Sequence, residues 1–164
     1  ALGRALRAAR RHDEALSAGR EAIKRQPNDA GSRASLSVVL GFAGQYDMAI
    51  EAINTAIRLN PKFFNGPYLN MRGVIQMLAG EYAAALLSFQ ENMDRGGPVA
   101  HPVIAFSATA YENLGHHDKA TSMIIRLQHE FPRFTTKGWN FFEAIRDEKD
   151  RKRLITHMRA AGVP

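Results

Sequence analysis

Along residues 44–61, GQYDMAIEAINTAIRLNP, the apolar positions Tyr46, Ala49, Ile53 and Ala56 recur at helical intervals, with Gly44 in front of the run and Pro61 behind it. The pattern predicts an amphipathic helix over residues 46–59 that buries one stripe and stops at the proline. Small residues open comparable runs at Ala15, Ala49, Ala85 and Ala120, which are 34, 36 and 35 residues apart. Stop signals keep the same interval: Pro27, Pro61, the Gly96-Gly97-Pro98 break and Pro132. The corners ahead of each run do so too: Arg10-Arg11-His12-Asp13, Gly44-Gln45-Tyr46-Asp47, Gly80-Glu81-Tyr82-Ala83 and Gly115-His116-His117-Asp118. A fixed period of this length marks a stacked array in which each unit hides its apolar side against the next.

The elements follow in order. Helices are expected at 1–11 and 13–25, 30–43 and 46–59, 68–79 and 82–94, then 99–114 and 117–130, with Asn28 and Asp29 as caps for the third. The insertion FFNGP at 63–67 lengthens one unit and falls in a loop between units, where Phe63 and Phe64 either pack locally or face a partner. Beyond Pro132 the period fades. Residues 134–146 carry Trp139, Phe141, Phe142 and Ile145 and read as a capping helix over the last unit. Asp147 and Asp150 then open a basic helix over 149–161, with Leu154, Ile155 and Met158 on one face, docking on Phe141 or Phe142. The fold expected is an all-α right-handed α-solenoid of about four helix pairs, in units 1–27, 28–61, 62–98 and 99–132, with C-terminal capping helices in 133–164.

The register resembles the tetratricopeptide repeat, a helix-turn-helix unit of 34 residues. Leu2-Gly3 with Leu6, Leu36 with Leu40, Gly73, and Ala108 with Tyr111 stand at the family's first-helix positions, and Ile53, Phe89 and Ile124 at its large second-helix position. The chain departs from the family in three ways. It lacks the opening tryptophan, Gly19 takes the large position in the first unit, and Arg10 replaces a corner glycine.

The resemblance implies a concave face lined by the first helix of each pair. Its groove positions fall on Arg4 and Arg7, then Ala34, Val38 and Phe42, then Asn70, Met71, Val74 and Met77, and finally Phe106, Thr109, Glu112 and Asn113. A clamp for a peptide's terminal carboxylate needs Lys, Arg and Asn there, and only Asn70 and the N-terminal arginines could serve, so that ligand class is set aside. Met71, Val74 and Met77 suit an apolar helix or peptide, because methionine adapts to irregular partners. The alternative, in which Met71 and Met77 belong to the core, stays open.

The segment IRDEKDRKRLITHMRAAGVP is similar to the C-terminal end of bacterial proteins that join a class III adenylate/guanylate cyclase domain to tetratricopeptide repeats. The matching residues are Phe142, Arg146, Asp147, Asp150, Leu154, Arg159, Ala161, Gly162 and Pro164. This resemblance implies a regulatory or dimerising region of a larger bacterial signalling protein. Because the chain begins near the middle of a first helix, it is expected to be part of something longer.

Composition narrows the chemistry. The 164 residues carry a net charge of +6, concentrated at Arg4, Arg7, Arg10 and Arg11 and again at Lys149, Arg151, Lys152, Arg153 and Arg159. Such charge raises nucleic-acid binding as an alternative function, but no aromatic residues interleave with the cations as a stacking platform requires. A third reading is an inert structural spacer. The absence of cysteine excludes disulfides and thiol chemistry and fits a reducing, cytoplasmic location. The longest unbroken apolar run, 82–87, is too short to span a membrane. His116 and His117 are adjacent and point about 100° apart on a helix, so they do not share a metal. His12, which matches His117 in register, reads as structural. His101, His129 and His157 lack ligand neighbours. No nucleophile motif is present, so no enzyme activity and no cofactor are expected; the partner is a protein or peptide, with a second copy of the chain as one candidate.

Overall fold

A computed structural model describes residues 11–61 and 67–164. The expected helix over 1–11 and the insertion residues 63–66 lie outside the described residues, apart from Arg11. Among the described residues the helices are α1 His12–Arg25, α2 Ala30–Phe42, α3 Tyr46–Leu59, α4 Tyr68–Ala79, α5 Tyr82–Asp94, α6 His101–Asn113, α7 His117–Glu130 and α8 Glu148–Ala160. The chain is an all-helical solenoid: α2 and α3, α4 and α5, and α6 and α7 form antiparallel pairs that stack in sequence.

Local chemistry sets the corners. At Gly44, Gly80 and Gly115 the backbone turns left-handed, with φ of 81°, 81° and 77°. The amide one residue further on then reaches back to the helix, from Gln45 to the Leu40 carbonyl at 2.9 Å, Glu81 to Gln76 at 2.8 Å and His116 to Tyr111 at 2.9 Å. Each corner thereby satisfies carbonyls that a helix end leaves free. At the other end of a pair the Asp29 carboxylate accepts from the Ser32 amide at 2.7 Å and starts α2.

Packing joins the pairs through two clusters. Leu16, Leu36, Leu40, Ile53 and Ile75 form one, and Phe42, Met77, Phe89, Phe106, Leu127 and Phe141 belong to the other. Gly73 is where α4 and α5 cross: a Cβ there would lie 2.4 Å from the Phe89 ring. Gly19, which interrupts the family pattern, makes room for the next pair, since a Cβ there would lie 2.8 Å from Leu36 Cδ1. The outer face of α7 differs from that of α3 at two positions, although Ile125 beside them is exposed. Ile50 and Ile57 of α3 pack with the cluster that holds Tyr68, Met71 and Ile75 of α4. The matching residues of α7, aligned on Ala49 and Ala120, are Thr121 and Gln128, both exposed.

The tail differs from the sequence expectation. Residues 134–146 do not form a helix; they run through turns to a short 3₁₀ turn at Phe142–Ala144. Gly138 is left-handed with φ 78°, and two amides bond away from the local chain: Thr136 to the Pro164 carbonyl at 2.6 Å and Arg146 to the Phe42 carbonyl at 2.9 Å. Trp139, Phe141 and Phe142 would point in different directions from a helix, whereas the irregular path buries Phe141, Phe142 and Ile145 together. The segment also does not close the end of the array. It travels lengthwise, past Phe106 to Phe42 and on to an Arg146–Asp13 ion pair at 3.0 Å. α8 then returns over α4 and α6, burying Leu154 and Met158.

Candidate functional site

The first helices of the pairs, α2, α4 and α6, turn one face toward the tail and toward open groove. Val38 and Phe42 of α2, Met71, Val74 and Leu78 of α4 and Val103 of α6 surround a cavity of about 230 Å³. Pro67, Pro98 and Pro102 complete its walls, and among the described residues no Asp, Glu, Lys, Arg or His lines it. Asn70 stands at the rim, where its Nδ2 donates to the Pro98 carbonyl at 2.8 Å while Asn92 Nδ2 donates to the same oxygen at 3.0 Å. The two amides hold the 96–100 loop as a wall. The Oδ1 atoms of both asparagines are shut away from solvent without a partner among the described residues.

The remaining groove positions lie elsewhere. Met77 is fully buried with Leu78 and Phe89, which places it in the core, while Met71 lines the cavity. Phe106 is fully buried beneath the tail, its ring centroid 5.6 Å from Trp139 and 5.2 Å from Phe141. Thr109 is buried and donates its hydroxyl to the Ala105 carbonyl at 2.8 Å, and Asn113 donates to the Thr109 carbonyl at 2.8 Å. Glu112 accepts from His117 Nδ1 at 2.9 Å, and that bond raises the imidazole above its ordinary pKa. These three are therefore engaged with their own helix pair. Ala34 is buried, and Arg4 and Arg7 lie outside the described residues.

Polar chemistry serves docking of the tail. Arg153 donates to the Leu78 carbonyl at the end of α4, where a cation meets the negative pole of the helix. Its guanidinium also pairs with Asp150 at 3.0 Å, and Asp150 accepts the Tyr46 hydroxyl. Burial, then that bond, pushes the Tyr46 phenol far above its usual pKa. The Tyr82 hydroxyl shares a 2.6 Å hydrogen bond with His157 Nδ1. His101 sits among Phe131, Phe134 and Trp139, and burial lowers its pKa.

On the array itself, Arg72 binds Glu91 at 2.5 Å and the Ser88 hydroxyl at 2.9 Å, and Ser88 donates to Gln76 at 2.6 Å, tying α4 to α5. Many cations are so paired: Arg25 with Glu21, Arg126 with Glu130, Lys152 with Glu148. Among the described residues no cluster of His, Asp and Glu has the geometry for a metal ion, and no helix is long and apolar enough to cross a membrane.

A glycine-cornered array of helix pairs with a small residue at each crossing is the tetratricopeptide-repeat fold, and the chain carries such repeats: tetratricopeptide repeat models match residues 1–30 and 30–63. Among solved structures, MamA from Desulfovibrio magneticus RS-1 (residues 41 to the end) superposes with a TM-score of 0.67 at 17% identity, covering 98% of this chain and 90% of that one. YrrB, described as a TPR protein with an unusual peptide-binding site, gives 0.63 at 16% identity over 90% of this chain and 74% of its own. A thermophilic TPR protein of Thermus thermophilus gives 0.61 at 19% identity over 90% and 73%. At these identities the likeness is one of fold. No protein of curated function matches the chain in sequence.

Proposed function

We propose that the chain is a non-catalytic protein–protein interaction module that receives a protein or peptide partner on the face formed by α2, α4 and α6. The observation that carries this is the uncharged cavity bounded by Val38, Phe42, Met71 and Val74, an apolar recess on a surface rich in paired charges. The peptide-binding site named for YrrB, which shares the fold, supports the same use.

The finer reading is a C-terminal regulatory or dimerising region of a larger bacterial signalling protein such as a class III cyclase. Its support is the resemblance of the tail, several of whose matching residues shape or seat α8. Asp147 caps α8 by accepting from the Lys149 and Asp150 amides, Asp150 holds Tyr46, Leu154 is buried, and Gly162 turns left-handed.

The test is capture from an extract of the source cells on immobilised wild-type chain and on a Val74→Glu variant of unchanged helicity. A partner kept by the first and lost by the second is expected; equal retention would move the partner off this face. Sedimentation of the purified chain over a wide concentration range checks the dimerising role, and a monomer throughout would remove it.

A further inference from the structure

We propose that the recess between the start of α6 and residues 131–139 binds a small planar aromatic compound that carries a carboxylate or a phosphate. It shares no lining residue with the cavity of Val38 and Met71 and stands apart from the reading of that face as a partner site.

The walls come from separate places in the chain. His101 opens α6, Phe131 follows α7, and the tail supplies Phe134 and Trp139. The His101 ring centroid lies 5.7 Å from that of Phe131, 4.7 Å from Phe134 and 5.9 Å from Trp139. These rings bound a recess of about 550 Å³, inside the range of roughly 300–1,000 Å³ that small-molecule sites occupy. Backbone bonds set the wall in advance: the Phe134 amide donates to the Phe131 carbonyl at 2.9 Å, the Trp139 amide to the Thr136 carbonyl at 3.2 Å and the Thr136 amide to the Pro164 carbonyl at 2.6 Å. Trp139 is also stacked on the buried Phe141 ring, with centroids 4.7 Å apart. Little order is therefore lost when a guest enters.

Charge selects the guest. Rings alone would suit a quaternary ammonium, because an aromatic cage attracts cations. Here, unlike at the two charged ends of the chain, cations alternate with rings: Arg133 and Lys137 line the recess together with Phe131, Phe134 and Trp139, and among the described residues no Asp or Glu does so. Both cations are exposed, and neither has an ion-pair partner among the described residues. A bound cation would meet like charge, whereas an oxyanion meets two uncommitted donors, one of them a guanidinium whose fork matches carboxylate and phosphate. His101 adds a polar contact. Burial lowers its pKa, so near neutral pH the imidazole is uncharged and offers one donor and one acceptor, and among the described residues its ring nitrogens have no hydrogen-bond partner. The aromatic walls favour a flat guest through offset or edge-on contact. A nucleic-acid strand would need a row of such stations, and the recess offers room for one.

The experiment titrates the intact chain with four probes: phenyl phosphate, phenylacetate, inorganic phosphate and benzyltrimethylammonium. Fluorescence of Trp139, the single tryptophan, reads occupancy together with the Lys137 and Gly138 amide signals in NMR. The two ring-bearing anions are expected to give saturable changes and to bind about tenfold more tightly than the other two probes, the ratio that about 1.4 kcal/mol of ring contact supplies. The tighter of the two shows which oxyanion the recess prefers, and either order supports the proposal. Arg133→Ala and Lys137→Ala, both at exposed positions, should each weaken these probes roughly threefold to fivefold, the scale of an exposed charge pair. Tightest binding of benzyltrimethylammonium, equal binding of phenyl phosphate and inorganic phosphate, affinities unchanged in both alanine variants, or no saturable change with any probe would overturn it.

Discussion

Phe42 meets Phe141 edge to face, with ring centroids 5.1 Å apart and planes at 67°, and the carbonyl of the same Phe42 accepts the Arg146 amide at 2.9 Å. One residue of α2 therefore fixes the tail by both ring and backbone. Phe141→Ala removes a buried ring from the contacts with Phe42, Phe106 and Trp139 and is expected to cost about 3–5 kcal/mol. Urea unfolding followed by Trp139, the single tryptophan, measures it. A loss below about 1 kcal/mol would mean that the tail contributes little to the array.

Tyr46 and Asp150 close the return of α8. Tyr46→Phe leaves the Asp150 carboxylate with Arg153 alone and is expected to cost about 1.5–3 kcal/mol, the range for a hydrogen bond to a charged group. A double-mutant cycle with Asp150→Asn isolates the pair, and additive single effects would exclude the coupling. Because the folded phenol titrates above its unfolded value, its contribution is complete below about pH 10 and is lost as pH rises through the folded pKa. Absorbance titration of wild type against Tyr46→Phe should show one tyrosine that resists ionisation.

Gly73 separates two opposing effects. Alanine favours a helix interior over glycine by about 1 kcal/mol, yet a Cβ at this position would stand 2.4 Å from the buried Phe89 ring. Overpacking wins, and Gly73→Ala is expected to destabilise by about 1–3 kcal/mol. Gly31 provides the contrast: the nearest atom to its Cβ is the Asp29 carboxylate at 3.6 Å, so Gly31→Ala should stabilise by about 0.4–1 kcal/mol. Thermal unfolding of both variants checks the sign.

Three histidines on or against the tail should make its docking sensitive to acid. Burial lowers the pKa values of His12, His101 and His157, with Arg146 adding to this at His12 and Arg153 at His157. A lowered folded value means that their contribution is present above the ordinary pKa of about 6.5 and is lost as pH falls through the folded values. His117 runs the other way, its contribution being lost as pH rises through its raised value, but it is exposed and screened. The urea midpoint read by Trp139 should therefore fall as pH drops below about 6.5, and His157→Gln should flatten the fall. A midpoint constant with pH in the wild-type chain would refute this.

The helix pairs are legible in the sequence because one pattern recurs: Ala49, Ala85 and Ala120 all sit at crossings and are all fully or nearly fully buried. α6 starts two residues later than the period suggests, at His101, with Pro102 in its first turn. Register alone points to Val38, Phe42, Met71 and Val74. It does not point to Leu78, Pro98 and Val103, since their meeting depends on three helices and a loop. The tail reads as a helix from sequence because its aromatic content is legible and its direction is not. Trp139, Phe141 and Phe142 have no helical period, and the partners that hold them, Phe42 and Phe106, lie far away in sequence.

Asp13 and Arg146 touch although 133 positions separate them. A string of repeats assembles by neighbour joining neighbour and frays from either end in the same piecemeal manner. Leading residues 134–146 back to α1 adds a contact between segments far apart in sequence, and such distant pairing is slow because chain entropy is lost before contacts are gained. The tail thereby ties together helices that a plain array leaves independent, chiefly through the buried Phe42–Phe141 contact, because an ion pair as exposed as Asp13–Arg146 contributes little.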